Sequence, residues 1–558
     1  MAVANENEFV FLPLGGVGEI GMNLAAYGFG PQNLREWLLV DMGVSFAGPE
    51  LPGADLVLPD IRFLEDEKHN VRGLILTHAH EDHYGAVLDL WPKLQVPIYC
   101  TPFTAGLLEI KKQADFESHK ISLTIFQAGD CFQVGSFSVE AIAVNHSIPE
   151  SVSLAITTSL GTVVHTGDWK IDHTPSFGDL TNEKRFRALG NKGVLALLCD
   201  STNACRDGIS PSEQQVQTSL SEIISKAEGR VAVATFASNI GRIRSIALAS
   251  EASGRKVLVI GRSLKRSIMV AQELGYMHGL APFVTEDDYG YIPRRELVLI
   301  VTGSQGEPCA ALAKLSRDGM KNIALSAGDI VIYSSRSIPG NEKAIIEVQN
   351  RFISLGIGII TNEDALVHVS GHPRRSELLQ MYDWVKPQIL VPVHGEAMHL
   401  KAQATLARQA GIKTVMDIRN GHMLRLAPEP IKVVDQVPVG RIYKDGCLIG
   451  DEDELGIRER RKLSYAGHVT ISLLINNKYE LLGDIGLTTF GLPQSNEEGE
   501  SLKDILLDIV ENTIYSIPRM KRKNNELVRE AIRRAVRAAI YEIWQKKPIC
   551  TVFLHQSK

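Results

Sequence analysis

Thr77-His78-Ala79-His80-Glu81-Asp82-His83 gathers three histidines and an aspartate between positions 78 and 83. The run before it, Val71-Arg72-Gly73-Leu74-Ile75-Leu76, is largely apolar and predicts a buried strand. The run after it, Tyr84-Gly85-Ala86-Val87-Leu88-Asp89-Leu90-Trp91, predicts the start of a helix. The ligand-type side chains therefore lie on a strand-to-helix loop, where a rigid scaffold can aim several of them at one point. Imidazole nitrogen and carboxylate oxygen suit Zn²⁺ and Mn²⁺. His78 and His80 can converge on one ion while Asp82 and His83 face a second. A lone histidine pair is usually structural. This density at a strand end is a metal site.

The same strand-then-ligand arrangement recurs outward from that loop. Phe137 to Val144 largely alternates between larger apolar and small or polar residues and ends at Asn145-His146. Leu160 to Val164 leads into His165-Thr166-Gly167-Asp168, and Ile389 to Val393 ends at His394-Gly395-Glu396. Such ends suit a site built at one edge of a β-sandwich. Between them, residues 213–365 change period. Helical patterns (Val216 to Ala227, Ile240 to Ala252) alternate there with apolar strands (Val231 to Ala234, Val257 to Ile260, Leu297 to Val301, Asp329 to Tyr333), which predicts a parallel α/β block. Ligands on both sides make the block an insertion. The expected order is a metal domain over 1–212 and 366–446, the insertion over 213–365, a linker at 447–462 and an α+β domain over 463–558. In that last domain Val469 to Ile475, Glu480 to Gly483 and Ile549 to Leu554 read as strands, and Ser501 to Ile517 and Asn525 to Gln545 as helices. The basic cluster Arg519, Lys521, Arg522 and Lys523 reads as a solvated face.

Composition narrows the class. With 558 residues, 22% charged and 44% hydrophobic, the chain is of ordinary globular type with room for roughly three or four domains. No run reaches the roughly 18 apolar residues of a membrane span, and Met1 to Glu8 is too acidic for a signal peptide. Seven scattered cysteines without a C-x-x-C pair fit a reducing cytoplasm. A net charge of -6 leaves any polyanion site local and metal-assisted. One motif misleads. Gly16-Val17-Gly18-Glu19-Ile20-Gly21 follows an apparent strand, Phe9 to Leu14, and Asp41 lies about 20 residues on, as in a dinucleotide fingerprint. No helix follows to meet a pyrophosphate, because Met22 to Phe29 is short and Trp37 to Val40 reads as another strand. The glycines read as turn residues in a β-meander.

Two divalent ions carry +4 and Asp82 with Asp168 returns −2, so the site favours an anionic phosphodiester over a neutral ester. Such a pair of ions lowers the pKa of a bridging water, and the two oxygens of Asp168 suit it to bridge them. The leaving oxygen needs a proton, for which His372 with Asp200, in Cys199-Asp200-Ser201-Thr202, is the candidate pair.

At this point a family resemblance enters. His78-x-His80-x-Asp82-His83, His146 and Asp168 resemble the metallo-β-lactamase signature, and the inserted block with His372 and Val391-Pro392-Val393-His394-Gly395 resembles its nucleic-acid-cutting β-CASP branch. Thr235-Phe236-Ala237-Ser238-Asn239-Ile240, Gly261-Arg262-Ser263, Thr302 to Pro308, Ile338-Pro339-Gly340-Asn341 and Arg458 to Ser464 are similar to bacterial ribonuclease J across nearly the whole chain. The resemblance implies an α/β fold: a metallo-β-lactamase αββα sandwich with an inserted β-CASP α/β domain and a small C-terminal α+β domain. It implies two Zn²⁺ (with Mn²⁺ or Mg²⁺ as substitutes in activity), His78, His80 and His146 on one ion, Asp82, His83 and His394 on the other, and Asp168 between them. Ala237, Ser238 and Asn239 with His368, Val369, Ser370, Gly371 and His372 are implied to hold the phosphates of single-stranded RNA. Gly53, Asp55 and Asp445 stand where an extra structural Ca²⁺ would bind. Pro373-Arg374-Arg375 departs from the small, polar residues more usual after His372.

The implied activity is 5′→3′ exonuclease action on 5′-monophosphate RNA, with endonuclease activity, in RNA decay and in rRNA and mRNA processing. The implied partners are RNA, a second copy of the chain in a homodimer or higher homo-oligomer, and RNA-decay or ribosome-associated proteins, with no membrane. Rival readings are a small-molecule metallo-hydrolase, which would not need the inserted block or His372, and a DNA nuclease of the same branch. A non-catalytic subunit would be expected to have lost ligands, and none is missing.

Overall fold

The apolar run before the histidine loop forms the strand Val71–Ile75, sixth in an eight-stranded sheet. The computed structural model describes residues 6–114, 120–317, 319–320, 322–338 and 340–557. Residues 1–5, Pro339 and Lys558, which fall within stretches read above, lie outside the described residues. The chain forms two compact units, one from Met1–Ser45 with Val57–Arg441 and the other from Phe46–Leu56 with Ile442–Lys558.

In the first unit, Glu8–Gly15, Leu24–Gly30 and Glu36–Val40 pair antiparallel in succession, the meander expected from the glycine-rich turn. Gly16, Gly18 and Gly21 have φ of 81, 88 and 97°, a region in which a side chain is strained. They shape a turn; no helix follows them. The helix expected from Tyr84 begins later, at Val87–Leu94, after a separate turn Glu81–Tyr84 that carries the last two ligands of the loop.

The second sheet has seven strands. Cys131–Val134, Phe137–Ala143, Val152–Thr158 and Gly161–His165 form an antiparallel meander, and Ala196–Asp200 and Ile389–Val393 then add in parallel. The register sets His165 beside Leu198 and Asp200 beside Val393. The loops that follow these strands therefore leave from one edge, which brings residues far apart in sequence into one region. Between the sheets pack Phe9, Leu38 and Ile75 from one side and Phe137, Leu154, Val163, Leu198 and Val391 from the other, all essentially inaccessible to solvent. Truncating one of them, Leu198→Ala for instance, costs about 2–5 kcal/mol. Phe186 and Leu189 of the helix Glu183–Lys192 and Leu378, Met381 and Trp384 of the helix Arg375–Val385 cover the outer face of the second sheet.

The inserted block leaves after Asp200 and returns at Ile389, on adjacent strands. Its own sheet is wholly parallel, in the order Lys256–Ile260, Leu297–Val301, Val231–Ala234, Ile330–Tyr333, Gly358–Ile360. The helix Glu213–Lys226 precedes it, opened by a capping box in which Ser212 and Gln215 satisfy each other's backbone N–H.

In the second unit, Gly486–Phe490, His468–Ile475 and Ile549–Gln556 form a three-stranded sheet. The helices Leu502–Ser516 and Asn525–Trp544 bury Leu506, Val510, Ile532 and Val536 with Val469, Ile471 and Leu473 of the sheet. Two local expectations differ. Glu480 to Gly483 does not form a full strand: after a turn at 477–478, where the Asn476 side chain accepts the N–H groups of Lys478 and Glu480, it makes only an isolated bridge between Leu481 and Ile475. Most of the charged run in the expected linker 447–462 lies in a helix, Ile457–Ala466. In the basic cluster, Arg519 pairs with Glu480, and the buried Arg522 donates to the carbonyls of Ile517 and Tyr515.

Candidate metal centre

Three overlapping groups of ligand-type atoms meet at the shared edge: His78, His80, His146 and Asp168; Asp82, His83, Asp168 and His394; and Asp168, Asp200, His372 and His394. His80 Nδ1 lies 3.1 Å from His78 Nε2 and 3.0 Å from His146 Nε2. The other nitrogen of each outer ring fixes its tautomer. His146 Nδ1 must donate to the carbonyl of Gly371 (2.7 Å), which cannot give a proton back. His78 Nδ1 donates to Thr77 Oγ1 (3.0 Å), whose own proton goes to Asp41. Both Nε2 atoms thus turn lone pairs inward. Burial first, and mutual repulsion among the rings, hold His78 and His146 well below the usual imidazole range. His80 is pushed down to about 4, mainly by burial. With at most one proton, on His80 Nδ1, three neutral imidazoles facing one point cannot all be satisfied by one another, but they can all bind a cation.

The second group is oriented in the same way. His83 Nδ1 faces Asp41 Oδ2 at 2.7 Å, and His394 Nδ1 donates to Asn23 Oδ1 at 2.8 Å. Their Nε2 atoms lie 3.3 Å and 3.5 Å from Asp168, on Oδ2 and Oδ1 respectively. Asn23 Nδ2 in turn donates to the Asp82 carbonyl (3.0 Å) and reaches His83 Nε2 (3.1 Å). Burial alone would lower the His83 pKa, but the carboxylates of Asp168, Asp82 and Asp41 raise it well above the ordinary value. A bound cation would take the place of that proton. Asp168 is buried and its Oδ1 has no hydrogen-bond partner, as expected of an oxygen meant for a metal. The donor set fits two cations. Asp41 and His394 both hold left-handed backbone, with φ of 63 and 51°, strain of the kind found where function requires it.

Beside the centre, His372 Nδ1 is 2.7 Å from Asp200 Oδ2 and 3.8 Å from Asp168 Oδ2. Burial opposes the charged ring, but Asp200, then Asp168 and Asp82, raise its pKa to about 9. Thr202 donates twice to the other oxygen of Asp200 and fixes the carboxylate.

The remaining site residues separate into two kinds. Ser370 and Gly371 adjoin the centre. A side chain at 371 would meet the His146 ring at 2.5 Å, so only glycine allows the approach that anchors His146. His368 and Val369 turn inward, with His368 Nδ1 3.4 Å from the buried Arg242 guanidinium. Ala237, Ser238 and Asn239 lie between the strand Val231–Ala234 and the helix Ile240–Ala252, where Asn239 Oδ1 caps Arg242 N. Asn239 also lines, with His146, Ser147, Lys170 and Tyr276, a cavity of about 290 Å³. The third expected cluster is assembled around a guanidinium. Arg460 pairs with Asp445 and closes on Gly53, and Asp55 accepts the Gly446 N–H (2.9 Å).

Sequence reading missed Asn23, which carries no ligand-like spacing, and misassigned Asp41, noticed only as part of the dinucleotide pattern. An acid directly after the strand Glu36–Val40 was the available signal.

Models of four families match the chain: the beta-lactamase superfamily domain over residues 36–173, the ribonuclease J beta-CASP domain over 228–352, the Zn-dependent metallo-hydrolase RNA specificity domain over 364–416 and the ribonuclease J C-terminal domain over 455–557. The ribonuclease J of Sinorhizobium meliloti (strain Sm2011) is 60% identical over 552 residues, 99% of this chain and 98% of that protein. That of Mycolicibacterium smegmatis is 37% identical over 96% of this chain and 95% of its own length. A solved protein of unknown function from Enterococcus faecalis V583 shares the fold, with a TM-score of 0.53 at 17% identity, over 75% of this chain and 100% of that one. Any hydrolase of the superfamily could share the histidine loop, but likeness that continues through the inserted block and the tail is more specific, and by it the chain belongs to the ribonuclease J family of metal-dependent ribonucleases.

Proposed function

We propose that this ribonuclease is a two-zinc enzyme that degrades RNA 5′→3′ from 5′-monophosphate ends and also cuts internally, in RNA decay and in rRNA and mRNA processing. The observation that carries the reading is the His372–Asp200 pair, placed against Asp168 and next to Ser370 and Gly371. His78, His80 and His146 would hold one ion, Asp82, His83 and His394 the other, with Asp168 between them; Mn²⁺ or Mg²⁺ could substitute in activity. When bound, the ions supply positive charge to the phosphodiester and make a water nucleophilic near neutral pH.

The chain's own groups do the rest. Asp200 occupies Nδ1 of His372, so Nε2 is the atom that gives a proton to the leaving oxygen. A pKa of about 9 keeps that proton in place at neutral pH. Ser370 Oγ already accepts from Asn203 Nδ2 (2.9 Å) and His372 N (3.3 Å), which leaves its hydroxyl proton for a phosphate oxygen. Ser238, half-buried before a helix, and Asn239, on the cavity beside His146, are placed in this reading around the terminal nucleotide. A pocket filled by one phosphate has no room for the added bulk of a triphosphate.

One end-labelled RNA bearing either a 5′-monophosphate or a 5′-triphosphate tests the reading. Rapid loss of the first and slow loss of the second is expected, and Ser238→Ala should weaken that preference more than it weakens internal cutting. Equal rates, or decay starting from the 3′ end, would remove the end pocket. The reading includes a homodimer or higher homo-oligomer and contacts with RNA-decay or ribosome-associated proteins, on family membership. It also includes the cytoplasm, which the seven unbridged cysteines support. No helix among the described residues is long and apolar enough to cross a membrane. A Ca²⁺ at Gly53, Asp55 and Asp445 would have to displace Arg460 from Asp445.

A further inference from the structure

We infer that Arg336 is an RNA phosphate ligand, outside the two segments 237–239 and 368–372 that hold phosphate in the reading above, on which this inference rests. Arg336 follows the strand Ile330–Tyr333 of the inserted sheet, and its carbonyl is fixed by Gln305 Nε2 (2.8 Å). Its Nη1 donates to Asn203 Oδ1 at 3.1 Å. Asn203 is 1% exposed and passes the contact on, with Nδ2 donating to Ser370 Oγ (2.9 Å) and to the His372 carbonyl (3.1 Å). Three distant segments thus meet beside His372, and they place a guanidinium next to the Ser370 hydroxyl that has a proton to give.

The charge of Arg336 has no counterpart among the described residues. Among the described residues no carboxylate forms an ion pair with it, and the charged group that acts on it is a second cation, Arg206; burial and that repulsion together lower its pKa. By contrast, the buried Arg242 is matched by Glu213 at 2.9 Å, and Arg375 by Asp207 at 3.3 Å. A half-buried cation beside another cation is costly unless an anion completes it. A guanidinium has five N–H donors in a planar fork, and Asn203 occupies one side, so the rest can take a phosphate bidentately. RNA is the polyanion that this enzyme cuts. A guanidinium carries an N–H fork in every state and does not depend on the metals for its charge.

Arg336→Gln and Arg336→Lys in the full-length, zinc-loaded chain test the inference. The measurements are kcat and KM on a 3′-labelled, 5′-monophosphate oligouridylate over a range of KCl concentrations. Arg336→Gln is expected to raise KM about 10- to 100-fold, the effect of losing one charged hydrogen-bonding group, and to change kcat by less than about threefold. The slope of log(kcat/KM) against log[salt] should fall in magnitude by about 0.7, one contact on a single strand. Arg336→Lys should keep the parental slope and still raise KM, because it loses the fork. Metal content and hydrolysis of bis(p-nitrophenyl) phosphate, which has no neighbouring phosphate, should stay parental in both. A parental slope in Arg336→Gln overturns the inference, as does loss of metal or of small-diester hydrolysis. Should the Gln variant not fold, an unchanged KM in Arg336→Lys overturns it. A parental enzyme indifferent to its 5′ end would remove the end pocket while leaving the salt slope readable.

Discussion

The histidine-rich centre and the Gly53, Asp55, Asp445 cluster contain residues of similar ligand type, and the chain treats them in opposite ways. In the centre, three imidazole nitrogens lie within 3.1 Å of a neighbour with at most one proton among them, and one oxygen of the buried Asp168 has no partner. The outer nitrogens of His146, His78, His83 and His394 are committed elsewhere, to Gly371, Thr77, Asp41 and Asn23. In the other cluster a guanidinium already balances Asp445, and Asp55 has a backbone N–H. Proximity of ligand-type residues is common to both. Atoms left without partners, held in place by groups that have them, distinguish a site that requires a cation from one that folds without it.

The sharpest way to break that distinction is at Asp168. Asp168→Ala removes the atoms shared by both ligand groups, and cleavage is expected to fall about 10⁴-fold or more, since each ion is needed to generate or steer the nucleophile. Metal analysis should find the site depleted in a chain whose circular dichroism is parental. Asp82→Ala should empty or misplace one ion, with a comparable loss of cleavage. Folded Asp82→Ala protein cutting RNA at the parental rate would refute the assignment.

His372 tests the boundary between holding metal and moving protons. His372→Ala should keep both ions and lose about 10²–10⁴-fold in rate, the usual effect of a missing general acid. Loss of metal would instead place the ring among the ligands. The pH profile gives the sign independently. Carboxylate partners raise the His372 pKa to about 9, so the acid form persists through neutral pH and activity declines as pH rises through that value. Asp200→Asn removes the nearest of those partners and should move the alkaline limb down by about 1–3 pH units. A limb that stays in place would separate His372 from proton transfer.

How much of this was legible depends on whether the information was local. The loop 77–83 could be read at once, because its ligands adjoin one another in sequence between a strand and a helix. His146, Asp168 and His394 were found by their places at strand ends, and the sheet register then brings those ends to one edge. Asn23 and the true role of Asp41 were not legible. Their bonds to His394 and His83 span 371 and 42 positions; the first is made between the two sheets and the second beyond the ends of two paired strands, and no spacing pattern encodes either. The glycine pattern around residue 16 was correctly discounted, for want of a helix. Arg460 lay in a charged run read only as part of a family motif, and its pairing with Asp445 depends on the fold of the second unit.

The intermediate case is Asp41. Asp41→Asn replaces the carboxylate that orients His83 and accepts the Thr77 hydroxyl behind His78. Affinity for the ion at His83 should weaken about 10- to 100-fold, as for other groups behind metal ligands. Titration with a chelator would read it, and excess metal should restore most of the rate. Failure of excess metal to rescue would give Asp41 a role beyond orientation.

The smallest effect is expected in the second cluster, and it tests the comparison from the other side. The Arg460–Asp445 pair is partly exposed, 39% and 26% at the two side chains, so solvent screens it. Arg460→Ala should therefore cost no more than about 1 kcal/mol, seen as a small fall in melting temperature, with cleavage changed little. In the parental chain, millimolar Ca²⁺ should leave the melting temperature unaltered, because the guanidinium holds Asp445. In Arg460→Ala the carboxylates of Asp445 and Asp55 lose that competitor, and Ca²⁺ should then recover the lost stability by binding the folded state alone. If Ca²⁺ instead raised the parental melting temperature by several degrees, the ion would be displacing Arg460, and the second cluster would be a cation site as the first is. The contrast would then lie in which cation each prefers, and no longer in whether one is required.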